Sequence, residues 1–287
     1  MRNCMSNGIS TRQNEESNIA RLAAQRQLYR DVNRMEILNV VLTVAIPIGL
    51  SFVQDIVGWA KTAACIVSLV MLGLSFVIDS WQKEKKRLAA TIQQEFDLDV
   101  FNMEWDRKLY GAQKNLNTAI AAASKGILSD EDEKKSLKDW YRPEVDALPR
   151  EEGIAACQRE NFSWDAGLRK RYRGLLAVIL VLIILVQLLI GINKAEPIQE
   201  YLLRILAMSS ALKWIIKTLV GINGDLKRME SIDRSVNSTE KKTIDDLAFT
   251  QKDIFENRKI VTKIPDWFYK LFKDNDEDRE RRSLEIH

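Results

Sequence analysis

Apolar and charged residues are segregated into blocks along this 287-residue chain, and the blocks predict helices that cross a membrane. The plainest block is Leu175–Ile192, LLAVILVLIILVQLLIGI, in which Gln187 is the single polar side chain. Eighteen helical residues rise about 27 Å, enough to cross the hydrocarbon core of a bilayer. A core helix of a soluble protein would meet charge about every 3.6 residues, and this segment does not.

Ile37–Val53 predicts another span, interrupted by Asn39, Thr43, Pro47 and Ser51. These four recur every fourth residue and share one face of a helix. Pro47 bends the helix and frees a carbonyl, which a neighbouring helix or water must satisfy. Trp59–Ile78 predicts the next span, with Ser68, Ser75 and Asp79 along one side. Lys61 and Asp79 stand at its opposite ends, within reach of the headgroups.

Ile198–Ile222 carries Arg204, Lys213 and Lys217. A cation at the bilayer centre costs roughly 2.5–3.5 kcal/mol, and each Leu or Ile returns only about 0.3–0.6. Arg204 and Lys217 lie near the ends and can snorkel, whereas Lys213 lies near the middle and must face protein or water. The alternative is an amphipathic helix lying on the membrane surface. That would leave the basic tail after Asp225 outside the cell, so the spanning reading is the expectation.

Basic residues orient the four spans. Arg21, Arg26, Arg30 and Arg34 precede Ile37, and Lys83, Lys85, Lys86 and Arg87 follow Ile78. Arg169, Lys170, Arg171 and Arg173 precede Leu175, and Lys227 and Arg228 follow the last segment. The short connections near 54–58 and 193–197 contain only Lys194. The positive-inside rule places both termini and the middle region in the cytoplasm. The first apolar run starts too late for a cleavable signal peptide.

The expected fold is all-α: a four-helix integral membrane protein whose cytoplasmic domain is built from extensions of the membrane helices. Its parts are a cytoplasmic amphipathic helix at 1–35, a transmembrane hairpin at 36–79 and a cytoplasmic helical region at 80–173. A second hairpin at 174–223 and a cytoplasmic helical tail at 224–287 complete it. Lys83–Glu95 continues the second span. Ser129 with Asp132 resembles a capping box opening a helix that Pro143 stops, and Pro149 opens another. That helix could run directly into the third span, with Ile154, Cys157, Trp164, Leu168 and Tyr172 as one apolar stripe. Ile244, Leu247, Ile254 and Phe255 form a core stripe in the tail, before the aromatic segment Trp267, Phe268 and Tyr269.

Composition narrows the chemistry. The mean hydropathy is mildly negative only because it averages unlike blocks. The net charge of +3 is the small difference between 43 basic and 40 acidic residues. Cys4, Cys65 and Cys157 are widely spaced and odd in number, so neither a disulfide framework nor a zinc site is indicated. The one histidine is His287, the last residue, which removes the commonest general base and metal ligand almost entirely. No phosphate-binding loop, dinucleotide fingerprint, metalloprotease or nucleophile-elbow motif occurs. The chain is therefore not expected to be an enzyme, and no catalytic, cofactor or metal residue is assigned.

Glu95, Asp97 and Asp99 in EFDLDV, with Glu104 and Asp106, could in principle hold Mg²⁺, but the plainer reading is a charged turn after a long helix. The juxtamembrane basic clusters could bind an anionic ligand or lipid heads, or act only as topology determinants. Asn39, Thr43, Ser51, Gln187, Ser209, Ser210, Lys213 and Lys217 are the candidate intramembrane polar path. Their alternative role is tight packing between helices.

Four segments together carry a resemblance: RLAAQRQLY at Arg21–Tyr29, IQQEFDLDVFNMEW at Ile92–Trp105, CQRENFSWDAGLRKRY at Cys157–Tyr172, and QKDIFENRK followed by IPDWFY between Gln251 and Tyr269. In this order, with four spans among them, the chain resembles the SMODS-associating four-transmembrane effectors over roughly residues 13 to 275. It departs from that pattern at Phe162, Ser163 and Trp164, where two tryptophans would follow the asparagine. The resemblance implies a pore-forming or membrane-disrupting effector of bacterial anti-phage defence, triggered by a cyclic oligonucleotide that a nucleotidyltransferase makes. Arg159, Trp164 and Arg169 are then candidate ligand or regulatory contacts. The expected setting is the bacterial inner membrane, with the lipid bilayer and further copies of the chain as partners and no DNA or RNA. A constitutive channel or transporter and a membrane scaffold recruiting partners are the alternative functions.

Overall fold

The computed structural model describes residues 6–53, 59–160, 165–194, 197–237, 242–265, 267–268 and 271, and every regular element among them is helical. In chain order these are α1 (Ile9–Gln13), α2 (Glu16–Val40), a π turn (Val41–Ala45), α3 (Ile46–Val53) and α4 (Ala60–Val100). Next come α5 (Arg107–Tyr110), α6 (Gln113–Leu128), α7 (Glu131–Lys135) and a 3-10 turn (Pro143–Ala147). The remainder are α8 (Arg150–Glu160), α9 (Asp165–Lys194), α10 (Ile198–Ala207), α11 (Ser209–Val236) and α12 (Ile244–Ile260).

Among the described residues, three helices are long and apolar enough to cross a membrane: Glu16–Leu50, Thr62–Val100 and Ala166–Asn193. The fourth candidate is a broken one, α10 and α11 meeting at an angle of 57°. Only 6% of the most apolar window in Ala166–Asn193 is buried inside the protein. Val178, Leu182, Leu185, Leu189 and Ile192 stand exposed, which water would penalise and acyl chains would not.

Residues divide into two compact units. The first comprises Met1–Val32, Lys83–Ala166 and Lys227–Val261; the second comprises Asn33–Gln82, Gly167–Leu226 and Thr262–His287. The first unit has an apolar core of Ile19, Leu22, Phe96, Phe101, Leu137, Tyr141 and Ile154. Gly153 permits the close approach of α8, because a methyl there would lie 2.5 Å from Asn7 Nδ2 and 3.1 Å from the Val145 carbonyl. The core of the second unit gathers Leu168, Tyr172, Leu176, Trp214, Ile215, Ile222 and Phe268.

Several local expectations change. The helix after residue 129 is capped by Asp130, whose side chain accepts from the amides of Asp132 and Glu133. Ser129 instead ends α6 and donates back to the Gly126 carbonyl. α7 lasts five residues and stops well before Pro143. The stripe read as one face is divided between two cores: Ile154 and Cys157 pack in the first unit, Leu168 and Tyr172 in the second. Trp164 lies outside the described residues. Burial pushes the Cys157 thiol well above its ordinary range, as expected of an inert core cysteine.

The acidic motif is the larger correction. Glu95, Asp97 and Asp99 lie in the last turns of α4, not in a solvated turn. Asp97 is fully buried and accepts from Tyr141 Oη at 2.7 Å, Gln251 Nε2 at 2.8 Å and Arg258 Nη1 at 2.5 Å. Gln251 also reaches Gln94, and Gln158 reaches Gln251. Asp99 accepts from Asn18 and Arg21, and Arg21 lies 3.6 Å from Glu95. Burial alone would lower the Arg258 guanidinium, but the adjacent Asp97 carboxylate reverses this and holds it above its usual value. No group of three or more metal-ligating side chains occurs among the described residues.

Candidate functional site

Two facing polar stripes run through the apolar second unit. On α4 the stripe is Ser68, Ser75 and Asp79, at intervals of seven and four residues; on α11 it is Ser209, Ser210, Lys213 and Lys217. Both spacings return to the same helix face. The stripes meet in two tiers.

The first tier forms around a chain break. Pro47 has no amide to offer the Thr43 carbonyl, and the helix opens into a π turn over Val41–Ala45. Ser210 Oγ donates to that carbonyl at 2.8 Å, so a neighbouring helix satisfies the group that Pro47 frees. Ser68 Oγ lies 3.1 Å from Ser210 Oγ and 3.3 Å from Ser209 Oγ, and the Ser210 amide donates back to it at 3.3 Å. Thr43 Oγ1 donates to the Asn39 carbonyl at 2.7 Å, and both residues are buried. This tier stands where α10 ends and α11 begins, so the hydroxyls help to satisfy backbone exposed by the break. Gln187 Nε2 donates to the Met208 sulfur beside it.

The second tier is ionic. Lys213 Nζ donates to Ser75 Oγ at 2.7 Å and to Asp79 Oδ2 at 3.0 Å, and lies 4.2 Å from the centre of the Phe76 ring. Lys217 closes a second ion pair with the other oxygen of Asp79. The Asp79 side chain is 17% exposed and that of Lys213 22%, so their pair is formed largely inside the protein. Glu36 accepts from Trp214 Nε1 and Gln82 Nε2, each at 2.8 Å, and ties α2 to α4 and α11. A cation that would cost a few kcal/mol facing lipid is thus compensated twice, by charge and by hydroxyl.

The sequence-predicted residues separate cleanly. Thr43, Ser209, Ser210, Lys213 and Lys217 belong to the seam, and Asn39 lies beneath its first tier. Gln187 reaches only the break, and the Ser51 side chain lies outside what is described. The direct partners of Lys213 are Ser75 and Asp79, while Ser209 and Ser210 engage Ser68. Asp79 does not simply face the headgroups, because two lysines claim its carboxylate. Arg204 is buried at 2% exposure instead of snorkelling, in a helix that packs on α4 through Cys65 Sγ and the Leu203 carbonyl.

Arg169 belongs to a separate ion pair of the second unit, and Arg159 to the first unit. Arg169 Nη1 lies 2.8 Å from Asp225 Oδ2, with side chains 5% and 0% exposed, and also donates to the Thr262 carbonyl at 2.8 Å. The Thr262 amide donates to the same Asp225 oxygen at 2.8 Å. Arg159 is exposed on α8. Glu36 was missed in the sequence because it precedes its apolar run like any solvated residue, and nothing local marks it.

The first tier supports a modest prediction. Ser210→Ala removes a hydroxyl that engages both Ser68 and the carbonyl freed by Pro47. Polar contacts of this kind in membrane interiors average about 0.6 kcal/mol. Thermal unfolding in detergent should register a loss of about that size, and a loss as large as a core truncation would refute the assignment to packing.

Apolar helical segments around a self-paired polar seam, with a second compact helical unit, define an all-helical membrane protein with charge placed inside its span region. The chain belongs to the family described as the SMODS-associating 4TM effector domain, whose model matches residues 7–286. It is also 25% identical to a probable CBASS effector molecule of Bacillus cereus (strain VD146), over 93% of this chain and 94% of that protein. No solved structure matches.

Proposed function

We propose that this protein is the membrane-disrupting effector of a bacterial anti-phage defence system, and that the polar seam is its closed permeation path. The carrying observation is the Asp79 carboxylate held between Lys213 and Lys217 within the span helices. Ionisable groups are expensive in such a place, and their usual reason for being there is transport or gating. Packing alone would be served more cheaply by apolar side chains. In the closed state the charges and hydroxyls spend their hydrogen bonds on one another. Opening exchanges those partners for water, which costs little once water has entered.

A cyclic oligonucleotide is the trigger in this reading, and the inner membrane is the target. Both termini and residue 130 lie in the cytoplasm and residue 195 outside. Four helices from one chain can pack without a central hole, so the conducting form contains several copies. Family membership and the similarity to a CBASS effector support the defence role.

Co-expression with the nucleotidyltransferase from such a system, while membrane potential is followed, tests the reading. Depolarisation should require both proteins. Potential held steady with both present, or a reporter placing residue 195 inside, would remove the proposal.

A further inference from the structure

The first unit contains a cavity of about 580 Å³ that the seam does not use. Its volume lies within the roughly 300–1,000 Å³ typical of small-molecule sites. Lys85, Arg87, Lys108 and Lys259 line it, against Glu84 as the one carboxylate in the lining. We propose that this cavity seats a phosphorylated nucleobase ligand: a cyclic oligonucleotide whose phosphates meet the basic rim and whose base stacks at Tyr110. The assignment rests on the reading that a nucleotide signal triggers this chain.

Three features carry it. The first is charge available for exchange. Arg87 lies 3.7 Å from Glu84, Lys85 3.1 Å from Asp31 and Lys259 2.7 Å from Glu256. These pairs are partly or largely exposed, and pairs of that kind hold weakly. Lys108 is exposed and has no ion pair among the described residues. A bound phosphate can therefore draw on four cations without breaking a buried bridge.

The second feature is an open helix start. α6 runs for 16 residues after Ala112, whose side chain cannot cap it, and its first turn carries no acid. Gly111, Ala112, Asn115 and Leu116 all line the cavity, so the start of α6 stands at its wall, with the Asn115 amide turned back to the Ala112 carbonyl at 3.1 Å. An uncapped helix N-terminus favours an anion through both amides and dipole. Gly111 sets this approach with φ 89°, a backbone that other residues rarely adopt, and a methyl there would meet nothing within 4 Å.

The third is an aromatic wall. Tyr110 sits edge-to-face with Phe255 at 5.0 Å and 4.9 Å from the Trp105 ring, and Gln94 Nε2 donates to its hydroxyl at 3.1 Å. These contacts hold the ring, and Tyr110 and Phe255 both line the cavity. Stacking on such a platform accepts any base. A site for inorganic phosphate alone would have no use for this wall.

The test uses the full chain in phosphatidylcholine nanodiscs, titrated with synthetic cyclic di- and trinucleotides of adenine and guanine. Inorganic phosphate and nanodiscs containing phosphatidylglycerol serve as the other arms. At least one cyclic nucleotide should bind, and Lys108→Glu and Arg87→Ala should each weaken it by about tenfold or more. Both residues are exposed, so unchanged melting of the variants keeps the comparison valid. Tyr110→Leu should weaken nucleotide binding and leave inorganic phosphate binding unaltered. Nucleotide binding that ignores all three substitutions would overturn the site and leave the trigger reading standing. Binding of phosphate or phosphatidylglycerol alone would assign the cavity to a headgroup and overturn the nucleotide. Failure of every probe, with nucleotidyltransferase-dependent depolarisation intact, would also overturn the cavity and place the trigger elsewhere.

Discussion

Asp79→Asn is expected to make the protein leak without its trigger. Two cations, Lys213 and Lys217, depend on this one carboxylate, and they stand one helical turn apart on α11. Neutralising Asp79 removes the counter-charge of the partly buried Lys213 ammonium, leaves it only neutral acceptors such as Ser75, and sets two like charges side by side. Removing one partner of a fully buried pair costs about 3–5 kcal/mol. The exposure of Lys217 argues for less, because solvent already screens that half of the arrangement. A shift of even about 1.4 kcal/mol is tenfold in a closed-to-open equilibrium. Cells expressing Asp79→Asn alone should therefore lose membrane potential at levels where the parent protein is silent, while Asp79→Glu should stay close to the parent. An Asp79→Asn protein that inserts normally and leaves the potential intact would mean that the carboxylate is not a latch.

Asp97→Ala should be the most damaging single change in the first unit. It strands the Arg258 guanidinium, whose side chain is only 11% exposed, and takes an acceptor from Tyr141 and Gln251 as well. The expected loss is about 3–5 kcal/mol, which approaches the whole stability of many domains. Pairing Asp97→Ala with Arg258→Met should restore part of it, because the uncompensated charge is then gone. Native-state hydrogen exchange of the α4 and α12 amides reads this directly. A loss below about 1 kcal/mol would show that water compensates the network.

What the sequence disclosed follows the range of the interactions. Span positions are written in local composition. The polar faces of Ile37–Val53 and Trp59–Ile78 were legible for the same reason, since helical spacing reveals a face without revealing its partner. The carbonyl freed by Pro47 was legible too, although the sequence could not name Ser210 as its donor, 167 residues away from Thr43. The capping box of Thr243 and Asp246 was readable at the start of α12 and went unread.

Long-range pairing was hidden. Asp97 meets Arg258 across 161 residues, and EFDLDV alone reads as a polar turn. Arg169 reads in the sequence as a topology-setting cation and a candidate ligand contact, and its partners Asp225 and the Thr262 carbonyl, far along the chain, could not be read there. The break at Met208 has no proline or glycine to announce it, and the hydroxyls that accompany it come from elements far apart in the chain. The basic cavity joins α4, α5, α6 and α12, so no single segment shows it.

The central claim is that charge at position 213 governs permeability. The most direct measurement is the triggered loss of membrane potential in cells expressing the parent chain, Lys213→Leu or Lys213→Glu at matched membrane levels. Lys213→Leu keeps the Asp79–Lys217 pair and makes the seam apolar at that level, so the resting cell should be undisturbed and the triggered leak reduced. Lys213→Glu should change which ions pass. Triggered depolarisation of equal rate and ion preference in all three would contradict the account, and Lys213 would then be a packing and insertion residue only.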